Sequence, residues 1–357
     1  MIEKITAPTL VVNQNKCRSN IRYMLRKTVK SNSRLRPHFK THQSEVVGRW
    51  FREEGVQGIT VSSVSMAWQF AHDGWKDILI AFPVNLREID EINHLASRVK
   101  LGITLSSPGV APLLEAVIKK PVDLYLKIDV GSHRTGFDPS HTDWIRETLD
   151  AIKPNTNISF KGFMAHAGHS YQAKDPGEIR KIFSEGIQIL KLLEAIFSPD
   201  FPDLIVSWGD TPTCSLVDNF KGIHEIRAGN FVYYDLMQWQ QGACRLDDIA
   251  MTMAAPVVAL HPDRREVVVY GGAVHLSKES MLCPEGKPHY GMMVFYQPDG
   301  SWVFPEQQAW VRRVSQEHGI IGVTEAQMEK IKPGDLLGIV PVHACLTADL
   351  VRELFIL

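Results

Sequence analysis

Three groups of residues in this chain have types and spacings that chemistry needs. Lys40 ends the strand-like run RLRPHFK (34–40). His38 lies two positions before it, so a two-residue period sets both on one face and Phe39 on the other. An amine crowded or buried there has a lowered pKa and can form a Schiff base with a carbonyl compound. The bland alternative is a solvated lysine capping a loop. The second group lies in the loops SWGDTPT (207–213) and RAGNFVYYD (227–235). Gly209 and Gly229 permit close backbone approach, Thr211 and Thr213 offer hydroxyls, and the amides around Gly229 and Asn230 can form an anion-binding concavity. Either loop alone reads equally well as an ordinary connection. A Schiff-base lysine facing a phosphate cradle points to pyridoxal phosphate. The third group is His343 with Cys345 in PVHACLT (341–347). On a strand, residues two apart project to the same side and can grip one ion. Imidazole with thiolate selects zinc over magnesium or manganese, and two protein ligands leave positions for water and substrate. A lone pair of this kind is more often part of a core, because cysteine is readily buried.

Positioning these groups requires a particular succession of elements. Runs rich in β-branched and aromatic residues occur at 34–40, 57–63, 77–83, 99–105, 122–129, 159–166, 204–210 and 223–229. Between most of them lie stretches with helical spacing. In 175–197, for instance, Ile179, Ile182, Phe183, Ile187, Leu190 and Leu193 form one stripe. Strands alternating with helices imply parallel pairing, and eight such units match a (β/α)8 TIM barrel better than an open doubly wound sheet. Barrel sites lie at the C-terminal strand ends, with phosphate at the loops after strands seven and eight, where the two glycine loops fall. From about residue 246 the pattern changes to short strands broken by Gly, Pro and Asp turns. The expected division is a barrel over 14–245 and a mostly antiparallel β domain over 1–13 and 246–357. The opening strand-like TAPTLVVNQ (6–14) is expected to pair with the β domain, bringing the chain ends together.

Composition sets limits. The chain has 357 residues, 44% of them hydrophobic, and a net charge of -1, which gives no electrostatic reason to expect nucleic acid. The basic run RKTVKSNSRLR (26–36) reads as a solvated helix end. No repeat, low-complexity tract, secretory signal or membrane-spanning stretch is visible, so no membrane is expected. Five scattered cysteines suggest free thiols in a reducing compartment, and hence the cytoplasm.

The motifs RPHFKTH (36–42), MAHAGHSY (164–171), GDTPT (209–213), EIRAGNFVYYDLMQ (225–238) and PVHACLT (341–347) occur together and in one order. By them the chain resembles the D-threonine aldolase and D-serine dehydratase family of fold-type III pyridoxal-phosphate enzymes, relatives of alanine racemase, over nearly its whole length. The resemblance implies a homodimer in which Lys40 holds the cofactor and phosphate sits at Thr211, Gly229 and Asn230. His166 and Tyr171 would lie beside the ring, and Arg134 of GSHRTGF (131–137) would reach it. Resembling dehydratases carry His-x-Cys for zinc, whereas the aldolases usually carry His-x-Asp, so Cys345 favours elimination from a D-3-hydroxy amino acid. The first candidate is D-serine. Retro-aldol cleavage to glycine and an aldehyde, racemisation, a non-catalytic cofactor carrier and a cofactor-free lysine aldolase are the alternatives. In the β domain YGGAVHLSKE (270–279) replaces the family's Asp-x-Gly-Ser-Lys-Ala-Leu-Ser stretch, which leaves the substrate open. His275 and the segment around Cys283 are read there as β-domain surface or as new polar elements near the site.

Overall fold

The computed structural model describes residues 2–357. After β1 (Thr9–Val12) and the helix α1 (Gln14–Lys30), eight strands follow: β2 (Arg34–Leu35), β3 (Ile59–Val61), β4 (Asp77–Pro83), β5 (Lys100–Leu105), β6 (Val122–Ile128), β7 (Ile158–Ala165), β8 (Ile205–Trp208) and β9 (Glu225–Ile226). All neighbouring pairs are parallel, in the order β2-β9-β8-β7-β6-β5-β4-β3. A bridge from His38 to Thr60 closes the ring, with Phe39 N donating to Thr60 O at 2.8 Å and Thr60 N to Pro37 O at 2.9 Å. The barrel read from strand–helix alternation is present.

Its N-terminal end is plugged by charge. Glu225 is fully buried and pairs with Arg34 and Arg36, Arg36 also reaches Asp77, and Ser207 Oγ donates to Glu225 at 2.8 Å. Burial alone would raise the Glu225 pKa, but Arg36 and Arg34 hold it below the usual carboxylate range. The basic run 26–36 is therefore less solvated than its composition suggests. Arg36 belongs to this plug, and the buried Lys27 donates to Cys214 O at 2.6 Å and Ser215 O at 3.0 Å, satisfying carbonyls at the end of the helix Thr211–Leu216.

Ten further strands follow: β10 (Met251–His261), β11 (Glu266–Tyr270), β12 (Met281–Leu282), β13 (Pro288–His289), β14 (Gly291–Tyr296), β15 (Trp302–Val303), β16 (Trp310–Val314), β17 (His318–Gly322), β18 (Leu336–Pro341) and β19 (Leu354–Ile356). The long β10 pairs with β18 and β1 in its first half and, from Val257 onward and across an irregularity between Val257 and Ala259, with β11. Six antiparallel strands thereby close on themselves through β11, β17, β16, β14 and β18. β1 runs antiparallel to β10 and parallel to β19, so the first and last strands share this sheet as expected. Two compact units result, Ile21–Phe231 and, separately, the residues up to Asn20 with Val232–Leu357. Among the described residues no helix is long and apolar enough to cross a membrane, and all five cysteines are free.

Candidate active site

The loops after the barrel strands bring the expected residues together, with one difference in backbone. β2 spans only Arg34–Leu35; Arg36 N and His38 N still donate to Ile226 O and Ala228 O at 2.8 and 3.0 Å, but the chain turns at Phe39, so Lys40 lies in an exposed turn and not at a buried strand end. The two-residue period consequently does not apply to it. It nevertheless faces the barrel mouth electrostatically. Lys40, Arg227, His166 and His42 are the charged or titratable neighbours of His38, and Lys40, Arg134 and Arg227 those of His166. Burial first, then the Lys40 charge, pushes both rings well below the usual imidazole pKa, so both are neutral. His166 Nδ1 is hydrogen-bonded to Gly209 O. A carbonyl can only accept, so that ring carries its proton on Nδ1 and keeps Nε2 as a lone pair.

Two further cations occupy the same mouth. Lys127, near the end of β6, is buried, and burial followed by the charges of Arg134, Arg227 and Lys40 brings it down to about 8. Arg227 is buried too. Its Nε donates to Ser207 Oγ at 2.7 Å and its Nη2 to Ala165 O at 2.5 Å, and burial lowers its pKa to about 10. With Lys40 and Arg134 they form a cluster of four cations suited to a phosphate and a carboxylate.

The loop after β8 supplies the counterpart. Asp210 caps the helix Thr211–Leu216, accepting from Thr213 N at 2.8 Å, Thr213 Oγ1 at 2.7 Å and Ser170 Oγ at 3.0 Å, and burial raises its pKa to about 6. Trp208 Nε1 donates to the same Thr213 hydroxyl at 2.8 Å. Thr213 is therefore spent on holding the loop. Thr211 differs: its amide donates to Tyr171 Oη at 3.2 Å, while its Oγ1 is fully buried with no hydrogen-bond partner. An orphaned buried hydroxyl is destabilising, and a phosphate oxygen is the acceptor it lacks. Gly229 serves the protein's own packing, since a Cβ there would stand 2.5 Å from His38 O. These groups fit an anionic, aldehyde-bearing cofactor at Lys40.

The second expected site is built differently from the expectation. β18 ends at Pro341, His343 is the N-cap of the helix Ala344–Leu350, and Cys345 lies within that helix. Strand alternation thus does not align the pair. They still meet through a side-chain hydrogen bond across the helix start. Asp235 anchors this start, its Oδ2 accepting from Ala344 N at 2.9 Å and its Oδ1 from Gln238 N at 3.0 Å. Glu279 Oε2 lies 2.7 Å from His343 Nδ1. Burial opposes charge on His343, but hydrogen bonds to Cys345 and Glu279 outweigh it and hold its pKa up at about 11. Among the described residues no three His, Cys, Asp or Glu groups form a metal-holding set; His343 and Cys345 are the two candidate donors that meet here. His275 is taken up locally, with Gly272 N donating to its Nδ1 at 3.2 Å and Glu317 3.9 Å away, and Cys283 is buried.

Lys127, Arg227 and Glu279 were not among the residues read from sequence. Lys127 interrupts the otherwise apolar end of VDLYLKID, and Arg227 alternates with Glu225, so each left a trace. Glu279 left none, because 64 positions separate it from His343.

The family model "Alanine racemase, N-terminal domain" matches residues 12–236, and "Putative serine dehydratase domain" matches residues 250–357. A D-serine dehydratase of Dictyostelium discoideum is 29% identical over 99% of this chain and 93% of its own. The D-threo-3-hydroxyaspartate dehydratase of Delftia sp. (strain HT23) is 28% identical over 96% of this chain and 92% of its own. Its solved structure superposes with a TM-score of 0.91 over 100% of this chain and 95% of that one, at 26% identity. Solved variants of that enzyme include a histidine-to-alanine change and, two positions further on, a cysteine-to-alanine change described as the metal-free form. A D-threonine aldolase of Arthrobacter sp. is 22% identical over 98% of this chain and 88% of its own. With its barrel matched throughout by the first model and its β unit by the second, the chain belongs to the alanine racemase N-terminal domain family, in the branch that carries a serine dehydratase domain.

Proposed function

We propose that this protein is a pyridoxal-phosphate- and metal-dependent lyase that eliminates the β-hydroxyl of a D-3-hydroxy amino acid, giving a keto acid and ammonia. The observation that carries the reading is the barrel mouth, where Lys40 stands among Lys127, Arg134 and Arg227 beside two neutral histidines and the orphaned Thr211 hydroxyl. When bound, pyridoxal phosphate supplies an electron sink at Cα and a zinc ion supplies Lewis-acid assistance to a leaving hydroxyl. Lys40 would hold the cofactor, and its Nζ would be the base that takes the Cα proton. Lys127, Arg134 and Arg227 lower the cost of placing phosphate and carboxylate together. His166 presents a lone pair at Nε2 because Gly209 O fixes the proton on Nδ1. Thr211 Oγ1, Gly229 and Asn230 receive the phosphate, with Tyr171 packed beside Thr211. His343 and Cys345 hold the ion. The His-x-Cys pair favours elimination, and its two-residue spacing is also that of the substituted pair in the Delftia enzyme, whose cysteine variant is described as metal-free.

The test is product analysis. Zinc-loaded protein incubated with D-serine, D-threonine and D-3-hydroxyaspartate is expected to release keto acid and ammonia from D-serine or D-3-hydroxyaspartate. Glycine and aldehyde without keto acid would replace the reading with retro-aldol cleavage. Interconversion of enantiomers alone would replace it with racemisation.

A further inference from the structure

We infer that Glu279 is the positioning residue of the metal site: its carboxylate accepts the Nδ1 proton of His343, turning Nε2 of that ring to the ion. This rests on the metal reading above and adds to it a residue and a choice of ligand atom.

The geometry is specific. Glu279 Oε2 lies 2.7 Å from His343 Nδ1, a charge-assisted hydrogen-bond distance, and neither side chain is fully exposed. An imidazole nitrogen engaged with a carboxylate carries the proton and has no lone pair to give, which leaves Nε2 as the only ligand atom. The backbone under the ring is fixed separately by Asp235 through Ala344 N. Asp235 therefore sets where His343 stands, and Glu279 sets how its ring turns. Glu279 is itself held, since its amide donates to Ser277 Oγ at 3.1 Å, just after the short helix Ala273–Leu276. This is the segment YGGAVHLSKE, the part of the β unit whose sequence departs from the family pattern. A surface ion pair of the same two residues would contribute little to stability and nothing to metal binding. A ligand-orienting carboxylate should instead raise metal affinity about 10–100-fold.

The experiment measures Zn2+ affinity by chelator competition on the cofactor-loaded protein, with Co2+ substitution to read coordination from its d–d bands. Glu279→Ala is expected to weaken Zn2+ binding about 10–100-fold. Glu279→Gln, whose amide oxygen still accepts from Nδ1, should recover part of that loss. At saturating Co2+ both variants should show wild-type d–d bands. Wild-type affinity in Glu279→Ala overturns the inference while leaving the metal reading intact. Altered d–d bands at saturation would make Glu279 a ligand and overturn the positioning role. Absence of any bound ion in the wild type overturns this inference and the metal reading together, with the barrel chemistry untouched.

Discussion

At the scale of single residues, Thr211 and Lys40 make opposite demands on the protein and its cofactor. Thr211 Oγ1 is buried without a partner, so removing it should relieve the fold. Thr211→Val is expected to leave the cofactor-free protein as stable as wild type or slightly more so. The same change deletes a hydrogen bond to a charged phosphate and should weaken cofactor binding about tenfold or more. Equilibrium dialysis beside thermal melting measures both, and unchanged cofactor affinity would remove Thr211 from the phosphate site. Lys40→Ala should abolish covalent retention: borohydride should fix the cofactor to the wild type, at Lys40 by peptide mapping, and to nothing in the variant. An identical adduct in Lys40→Ala would refute the assignment. Legibility was uneven at this scale. Lys40, His38, His166 and Tyr171 sit in short motifs that stand out in the sequence. The pKa-lowering crowd around Lys127 arises only when β6 and β9 are brought to one mouth.

At the scale of elements, strand β7 depends on one glycine. Gly162 has φ +145 and lies opposite Ile205 of β8, where a Cβ would stand 2.0 Å from Ile205 O and 2.6 Å from Ile205 N. The β6–β7 register slips at the same place, between Leu124 and Tyr125, which marks a bulge. Backbone cannot yield as a side-chain tip can. Gly162→Ala should therefore cost about 3 kcal/mol or more, read as a large drop in urea midpoint or as loss of soluble protein. A midpoint near wild type would show that β7 and β8 can part without unfolding the barrel. The strands themselves were legible because parallel barrel strands are apolar runs between helical stripes, and β4, β5 and β6 fall within a residue of the expected bounds. The end of β18 was not. PVHACLT reads as a continuation of an apolar strand, yet the chain turns into a helix at His343, where Asp235 from a distant segment accepts the Ala344 amide. No local signal in that stretch announces a cap supplied from 109 positions away.

At the scale of the whole molecule, buried neutral histidines set the response to acid. His42 is packed against Phe39, Phe51 and Phe70, its Nδ1 accepts from Ser44 N at 3.0 Å, and burial pushes its pKa down to about 3. An unfolded histidine titrates near 6.5. Because the folded pKa is depressed for a basic group, the folded state refuses a proton that the unfolded chain binds. Stability from this residue is therefore complete above about pH 6.5 and falls by about 1.4 kcal/mol per pH unit as pH drops toward 3. His38, His166 and His289 are lowered too and act in the same direction. His42 lies outside the proposed metal pair, so its share can be isolated. His42→Asn keeps an acceptor for the Ser44 amide and removes the titrating ring. Potentiometric proton uptake on unfolding, at about pH 4.5, should be one proton smaller in the variant than in the wild type. Equal uptake would mean that His42 is already protonated in the folded barrel, and the aromatic packing around it would then have to hold a charge.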